Sequence, residues 1–258
     1  MGWLAKARVT SPAETLAADE ADLADGRRAR AIRSFVRREG RMTDAQSGAL
    51  QRLWPRYGLG PLPDGEHVLP LPAQDFVAVF GRTAPLALEI GFGNGERLAQ
   101  AAADRPDWNF VGAEVHRPGV GRLLQDAEQR GLTNLRVMCA DAAEFLRNEA
   151  APGSFSEIAL LFPDPWHKKR HHKRRIVQPA FVRDVVNALT PGGRFRLATD
   201  WADYAEHMLL VVSAEPRLRN LATDGRFVPR PEDRPLTRFE SRGIRLGHAV
   251  ADLEFERI

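Results

Sequence analysis

From residue 86 onward the chain repeats one rhythm: a short apolar run, a break, then a stretch whose apolar residues recur at helical spacing. The runs fall at residues 86–90, 109–115, 135–139, 158–162 and 194–199. Short apolar runs bounded by turn residues read as buried strands. The intervals predict helices over 94–103, 119–130, 142–148, 179–189 and 202–213, and Thr-Pro-Gly-Gly at 190–193 predicts a tight turn into the fifth strand. Strands alternating with helices imply right-handed crossovers and a largely parallel sheet covered on both faces. Residues 249–257 alternate polar and apolar side chains, which predicts an edge strand.

The segment upstream has a different character. Residues 1–25 are rich in Ala, Asp and Glu without apolar periodicity, which predicts a poorly ordered tail. Residues 26–72 read as a basic arm with a few apolar anchors, followed by a connector with five prolines after residue 53. Within it Thr43 or Asp44 is placed to cap a short helix ending at Leu53. Residues 73–258 then form the main domain, and 258 residues suffice for one large core plus an extension. No apolar run approaches the roughly 18 residues that span a membrane. Cys139 is the only cysteine, so no intrachain disulfide forms. That usage, with no secretory signal pattern at the start, predicts a cytoplasmic protein. Monomer and homodimer both remain open.

Net charge is only +3, but it is unevenly placed. Residues 26–41 carry seven arginines against one glutamate, and residues 164–175 carry six basic residues against one aspartate. The rest of the chain is therefore net acidic, and the two basic stretches predict a local footprint for a polyanion. Of only four lysines, Lys168, Lys169 and Lys173 fall in one six-residue window. A compact ammonium suits phosphate tracking. About six neutralised phosphates imply a log–log salt slope near −4 to −5.

This second stretch follows directly on the fourth predicted strand. Pro163, Asp164, Pro165 and Trp166 stop that strand, because proline cannot continue a ladder and restricts the residue before it. A carboxylate is thus held where a parallel strand ends, beside an aromatic ring, and ligands of open α/β sheets bind at such ends. His167, His171 and His172 offer His-x-x-x-His spacing, but the surrounding cations disfavour a metal, so none is expected.

After the first strand comes Glu89-Ile-Gly91-Phe-Gly93-Asn-Gly95. Glycines let backbone approach a ligand closely at a helix start. The G-x-G-x-G spacing differs from the G-x-G-x-x-G of diphosphate-binding dinucleotide sites. Glu89 suits a ligand ammonium better than a pyrophosphate, which favours S-adenosyl-L-methionine over NAD. Glu114 ends the second strand, where an acid can accept from ribose hydroxyls. Asp141 lies just past the third, within reach of an adenine amine.

Pro-Asp-Pro-Trp is similar to the Asp/Asn-Pro-Pro-aromatic signature of enzymes that methylate exocyclic base nitrogens. The longer run F-P-D-P-W-H-K-K-R-H-H-K-R-R-I-V resembles the bacterial tRNA (guanine-N7)-methyltransferases more closely. L-E-I-G-F-G-N-G, G-A-E-V-H, A-T-D-W and T-R-F-E accompany it in the family's order. The resemblance implies a Rossmann-like class I methyltransferase: an α/β fold with a seven-stranded, largely parallel sheet. It implies methylation of N7 of a variable-loop guanosine in tRNA, giving 7-methylguanosine, with S-adenosyl-L-methionine as methyl donor. By the same resemblance Glu89, Gly91, Gly93, Gly95, Glu114, Asp141 and Asp164 hold the donor, and Asp164 is also catalytic. Lys168, Asp200, Thr237, Arg238, Phe239 and Glu240 meet the substrate, Arg238 standing where the family commonly has lysine. Arg170, His171, His172, Lys173, Arg174 and Arg175 meet tRNA. An adenine-amine methyltransferase and a catalytically silent RNA-binding protein are the rival readings.

Overall fold

The computed structural model describes residues 34–35, 42–63, 73–232 and 249–258. Helix α1 (Asp44–Tyr57) begins at Thr43, whose hydroxyl accepts from the Gln46 N–H while the Gln46 side chain accepts from the Thr43 N–H. This reciprocal cap satisfies two donors that a helix start leaves open. The helix runs through Pro55 to Tyr57, past the expected end at Leu53. An interior proline costs about 3 kcal/mol. Burying Trp54 and Tyr57, at 6% and 0% exposure, offsets that, since each large apolar side chain contributes about 1.5–3 kcal/mol. Gly58 follows the helix in extended conformation, and a Cβ there would sit 2.2 Å from the Trp54 ring. α1 lies in the same core as the chain beyond residue 73, although it belongs to the stretch predicted as arm and connector.

A short helix α2 (Phe76–Phe80), not predicted, precedes the alternating region. There β1 (Leu86–Ile90), α3 (Glu96–Asp104), β2 (Asn109–Ala113), α4 (Arg117–Gln129) and β3 (Leu135–Met138) follow in order. α5 (Ala142–Asn148), β4 (Phe155–Leu161), α6 (Pro179–Ala188), β5 (Leu189–Thr199) and α7 (Ala202–Ser213) continue the pattern. β6 (Leu218–Asn220) and β7 (Ala251–Arg257) complete a seven-stranded sheet of order β3-β2-β1-β4-β5-β7-β6. β1 to β5 are parallel, and β7 runs antiparallel to both neighbours. The order reverses beside β1, and the crevice at such a switch point is where open α/β sheets bind ligands.

Two expectations change. Residues 190–193 lie inside β5 rather than in a turn before it: Phe155 pairs with Leu189 and Glu157 with Arg194, so the strand bulges between them. A bulge is where a sheet tolerates Pro and Gly. β7 is an interior strand, and the three-residue β6 takes the edge beside it.

Strand alternation sorts the two faces. Leu88, Ile90, Ile158, Leu160, Phe195, Leu197, Leu253 and Phe255 face one core, closed by residues of α5, α6 and α7 such as Phe145, Phe181, Val185, Tyr204 and Met208. Ala87, Phe110, Leu135 and Val137 face a second core under α1, α3 and α4. Farther along that second face the sheet is ionic. Arg97 Nη1 donates to Glu89 Oε2 at 2.7 Å and Nη2 lies 3.9 Å from Glu157, while Arg196 stands 3.7 Å from Glu157 and 3.5 Å from Glu254. Among the described residues no helix is long and apolar enough to cross a membrane.

A buried ion pair adds little net stability, but removing one partner strands the other in a dry site. Arg97→Met leaves Glu89, 7% exposed, without its cation. Urea unfolding should show a loss of about 3–5 kcal/mol, largely restored in the Glu89→Leu/Arg97→Met double variant. A single variant as stable as the parent contradicts this.

Candidate active site

A cavity of about 840 Å³ opens at the carboxyl ends of the parallel strands. Its apolar walls are Ile90, Ala113, Ala140, Ala142, Leu160 and Ile176, and Glu114, Asp141, Asp164, Lys168 and His167 supply polar groups. Such a volume, mostly apolar with a few convergent polar groups, suits a nucleoside-sized ligand.

The glycine turn closes one end. Gly91 lines the cavity with φ +69° and has no protein atom within 4 Å of where a Cβ would stand, so ligand atoms can approach the backbone. Gly95 caps α3 with φ +76°, and a Cβ there would lie 2.7 Å from Leu123. Glu114 fixes the turn. Its Oε2 accepts from the Gly93 N–H at 2.9 Å, and its Oε1 accepts from Val115 and His116 N–H at 2.7 and 2.9 Å. A carboxylate has about four lone-pair sites, so Glu114 keeps capacity for one further donor, not the two expected from a ribose. Asp141 caps α5 by accepting from the Ala143 N–H at 3.0 Å and also faces the cavity.

Asp164 stands between two strained residues. Phe162 has φ +52° and Trp166 φ +48°, a region that bulky side chains rarely enter. Each costs on the order of 1–3 kcal/mol and persists only where neighbours over-determine it. The Phe162 N–H donates to the Ala198 carbonyl at 2.7 Å. The Pro165 carbonyl accepts from Arg175 Nε at 3.0 Å, and the Trp166 indole donates to the Ser34 carbonyl at 3.0 Å. The Asp164 carboxylate, exposed, is carried on the part of the turn that lines the cavity.

The basic run forms a 3₁₀ helix, Lys169–Arg174. Lys168, Lys169, Arg170 and Lys173 are exposed. His171 lies edge-on to Trp166 at 6.0 Å, and the Arg174 guanidinium sits 4.2 Å over the same ring. One face of Trp166 is therefore covered. Desolvation, then the charges of Arg170, Arg174 and Lys168, lower the His171 pKa and so disfavour its charged form. Arg175 departs most from expectation. It is 3% exposed and directed inward, which removes it from the surface that tRNA was predicted to meet. His172 turns the same way, toward Arg175 and Asp203.

The cavity thus gathers Gly91, Glu114, Asp141, Asp164, Lys168 and His171 from the predicted set, while Gly93 and Gly95 shape the turn behind it. Glu89 lies outside this lining: on the strand it alternates with Leu88 and Ile90, and its carboxylate accepts from Arg97. Asp200 follows β5 outside the lining, next to Trp201, whose ring packs 4.2 Å from His167. Residues Thr237, Arg238, Phe239 and Glu240 lie outside the described residues. Sequence reasoning passed over Ser34, Phe35 and His116, which also line the cavity. Phe35 stands out only as an apolar anchor in a basic stretch, and His116 only by following Glu114 at two residues. Among the described residues no group of three or more His, Cys, Asp or Glu is placed to hold a metal.

The chemistry of this donor set fits S-adenosyl-L-methionine: an apolar slot for adenosine, and carboxylates at its rim for a cationic ligand. Glu114→Gln replaces one acceptor oxygen by a donor and leaves at least one turn N–H unmet. Calorimetry with S-adenosyl-L-methionine should show affinity reduced by about tenfold or more, and unfolding a loss of about 1–3 kcal/mol. Unchanged affinity would place the donor site elsewhere.

Comparison with known proteins bears on the same residues. A family model described as a putative methyltransferase matches residues 83–253. The tRNA (guanine-N(7)-)-methyltransferase of Aeromonas hydrophila is 55% identical over 91% of this chain and 95% of its own length. That of Alkalilimnicola ehrlichii is 56% identical over 92% of this chain and 96% of its own. Among solved structures, the 16S rRNA methyltransferase KamB aligns with a TM-score of 0.57 at 18% identity, over 78% of this chain and 98% of that one. That distant likeness concerns the fold alone. Identity above half, sustained across nearly the full length of both proteins, is decisive for kinship: the chain belongs to the tRNA (guanine-N7)-methyltransferase family.

Proposed function

We propose that this chain transfers a methyl group from S-adenosyl-L-methionine to N7 of a variable-loop guanosine in tRNA, forming 7-methylguanosine. The observation that carries the reading is the placement of Asp164, on a strained turn between the cavity and a row of exposed cations. Gly91, Glu114, Asp141 and Asp164 hold the methyl donor, with Gly93 and Gly95 setting the turn and Glu89 bracing it through Arg97. Lys168, Asp200 and residues 237–240 meet the guanosine. Arg170 and Lys173, with Lys168 and Lys169, track phosphates. Residues 73–258 with α1 form the methyltransferase domain, and the chain works in the cytoplasm beside its substrate.

S-adenosyl-L-methionine, when bound, supplies a methyl group on a positively charged sulfur. Guanine N7 presents an in-plane lone pair and no proton, so no side chain has to act as a base before attack. The protein's task is alignment and the balancing of charge that moves into the purine. Good alignment contributes up to roughly 7–11 kcal/mol in favourable cases. A carboxylate matches the N1–H and N2 donors of guanine, and a bidentate base contact discriminates by about 1–3 kcal/mol. In this proposal both tasks fall to Asp164, which is exposed at the cavity.

Unmodified tRNA incubated with isotopically labelled S-adenosyl-L-methionine and digested to nucleosides should yield labelled 7-methylguanosine. A methylated adenine amine in its place, or no transfer at all, overturns the proposal. Arg175 is buried and Arg174 covers Trp166, so four exposed cations of the 168–175 run remain for phosphate. The expected log–log salt slope of tRNA binding is therefore about −3 to −4 rather than the steeper value read from the sequence. Replacing Lys168, Lys169 and Lys173 by Ala should flatten it by about 2 to 3. An unchanged slope moves the tRNA footprint to another surface.

A further inference from the structure

Arg175 fits neither a phosphate contact nor ordinary core filling. Its side chain is 2% exposed. Nε donates to the Pro165 carbonyl at 3.0 Å, while Nη2 donates to Asp203 Oδ2 at 2.5 Å and lies 3.1 Å from His172 Nε2. The guanidinium carbon sits 4.8 Å over the ring of Tyr204, which is fully buried. Asp203 and Tyr204 belong to the first turn of α7, and His172 to the 3₁₀ helix. One planar group thus ties the turn after β4, the cationic helix and the element after β5.

We propose that Arg175 is a positioning residue for methyl transfer, holding the Pro165 carbonyl so that Asp164 keeps its orientation, with Asp203 holding Arg175. The inference rests on the reading of Asp164 as the group that aligns guanine. Asp164 lies between two prolines, so its backbone has little freedom of its own. The remaining freedom is the peptide plane after Pro165, and Trp166 beyond it sits at φ +48°. A hydrogen bond to that carbonyl is what fixes the plane. Lysine is a poor substitute, because a single ammonium lacks the planar fork that serves Pro165 and Asp203 together while stacking on Tyr204. Arg175 therefore influences the reaction without touching substrate, and its removal should leave the exposed phosphate-binding cations in place.

The test compares Arg175→Met, Arg175→Lys and Asp203→Ala in the full chain. It measures kcat at saturating tRNA and S-adenosyl-L-methionine, tRNA affinity against salt, and amide hydrogen exchange at Phe162, Asp164, Trp166 and His167. Arg175→Met should lower kcat by about 100-fold, keep tRNA affinity within about twofold, and speed exchange in the turn while β1 and β4 stay protected. Arg175→Lys should recover less than about a tenth of the lost rate. Asp203 is 64% exposed, so Asp203→Ala spares the core; it should lower kcat by about tenfold and loosen the same amides. If Arg175→Met does not fold, the Asp203 variant decides. The proposal is overturned if Arg175→Met keeps kcat but weakens tRNA binding and reduces the salt slope by about 1, the mark of a phosphate contact. It is equally overturned if Asp203→Ala matches the parent in rate and exchange, or if protection is lost throughout the sheet. Should the parent fail to methylate tRNA guanine, the reading of function falls, while exchange in the turn still reports whether Arg175 holds it.

Discussion

Between the end of β4 and the 3₁₀ helix the chain runs through two backbone conformations that its own side chains resist, at Phe162 and Trp166. Together they store on the order of 2–6 kcal/mol, a large fraction of the 5–15 kcal/mol that keeps a typical domain folded. Hydrogen bonds from elsewhere hold them: the Ala198 carbonyl on β5 accepts from the Phe162 N–H, and Arg175 Nε donates to the Pro165 carbonyl. The parallel pairing of β4 with β5 is what brings Ala198 alongside. The reactive turn is thus rigid because the sheet beneath it is rigid, and a site that works by alignment needs this property.

The rest of the molecule divides the supporting tasks by strand alternation. Apolar residues of β1, β4, β5 and β7 seal one face under α5 to α7. On the other face Glu89, Glu157, Arg196 and Glu254 occupy positions that would otherwise bury unpaired charge, and Arg97 joins them to α3. This ionic row runs beneath the same glycine turn that Glu114 holds from the β2 side. The acids at the ends of β2, β3 and β4 are brought to one edge of the sheet by parallel register, and the strained turn then carries Asp164 to the cavity.

Much of this was legible in the sequence. Residues 86–90 and 202–213 match β1 and α7 to the residue, because apolar period and flanking turn residues agree there. Glu114, Asp141 and Asp164 were identifiable because a strand end in a parallel sheet is a position, not merely a composition. What stayed hidden depends on long-range partners. Pro55 inside α1 is outweighed by the burial of Trp54 and Tyr57 against elements far along the chain. The β5 bulge looks like a turn until Phe155 supplies the pairing for Leu189. Arg175 reads as one more cation in a basic run, and only α7 reveals that it points inward. Glu89 illustrates the same limit, since Arg97 lies a turn away on α3 and competes for its carboxylate.

The proposed function rests on Asp164 orienting guanine and balancing its developing charge while removing no proton. The most direct measurement is the pH dependence of kcat for Asp164→Asn against the parent, from about pH 6 to about pH 9. The expected result is a deficit of about 10²- to 10³-fold that is the same at every pH. Recovery of the parent rate at the alkaline end would contradict it, because a lost base is what rising hydroxide replaces.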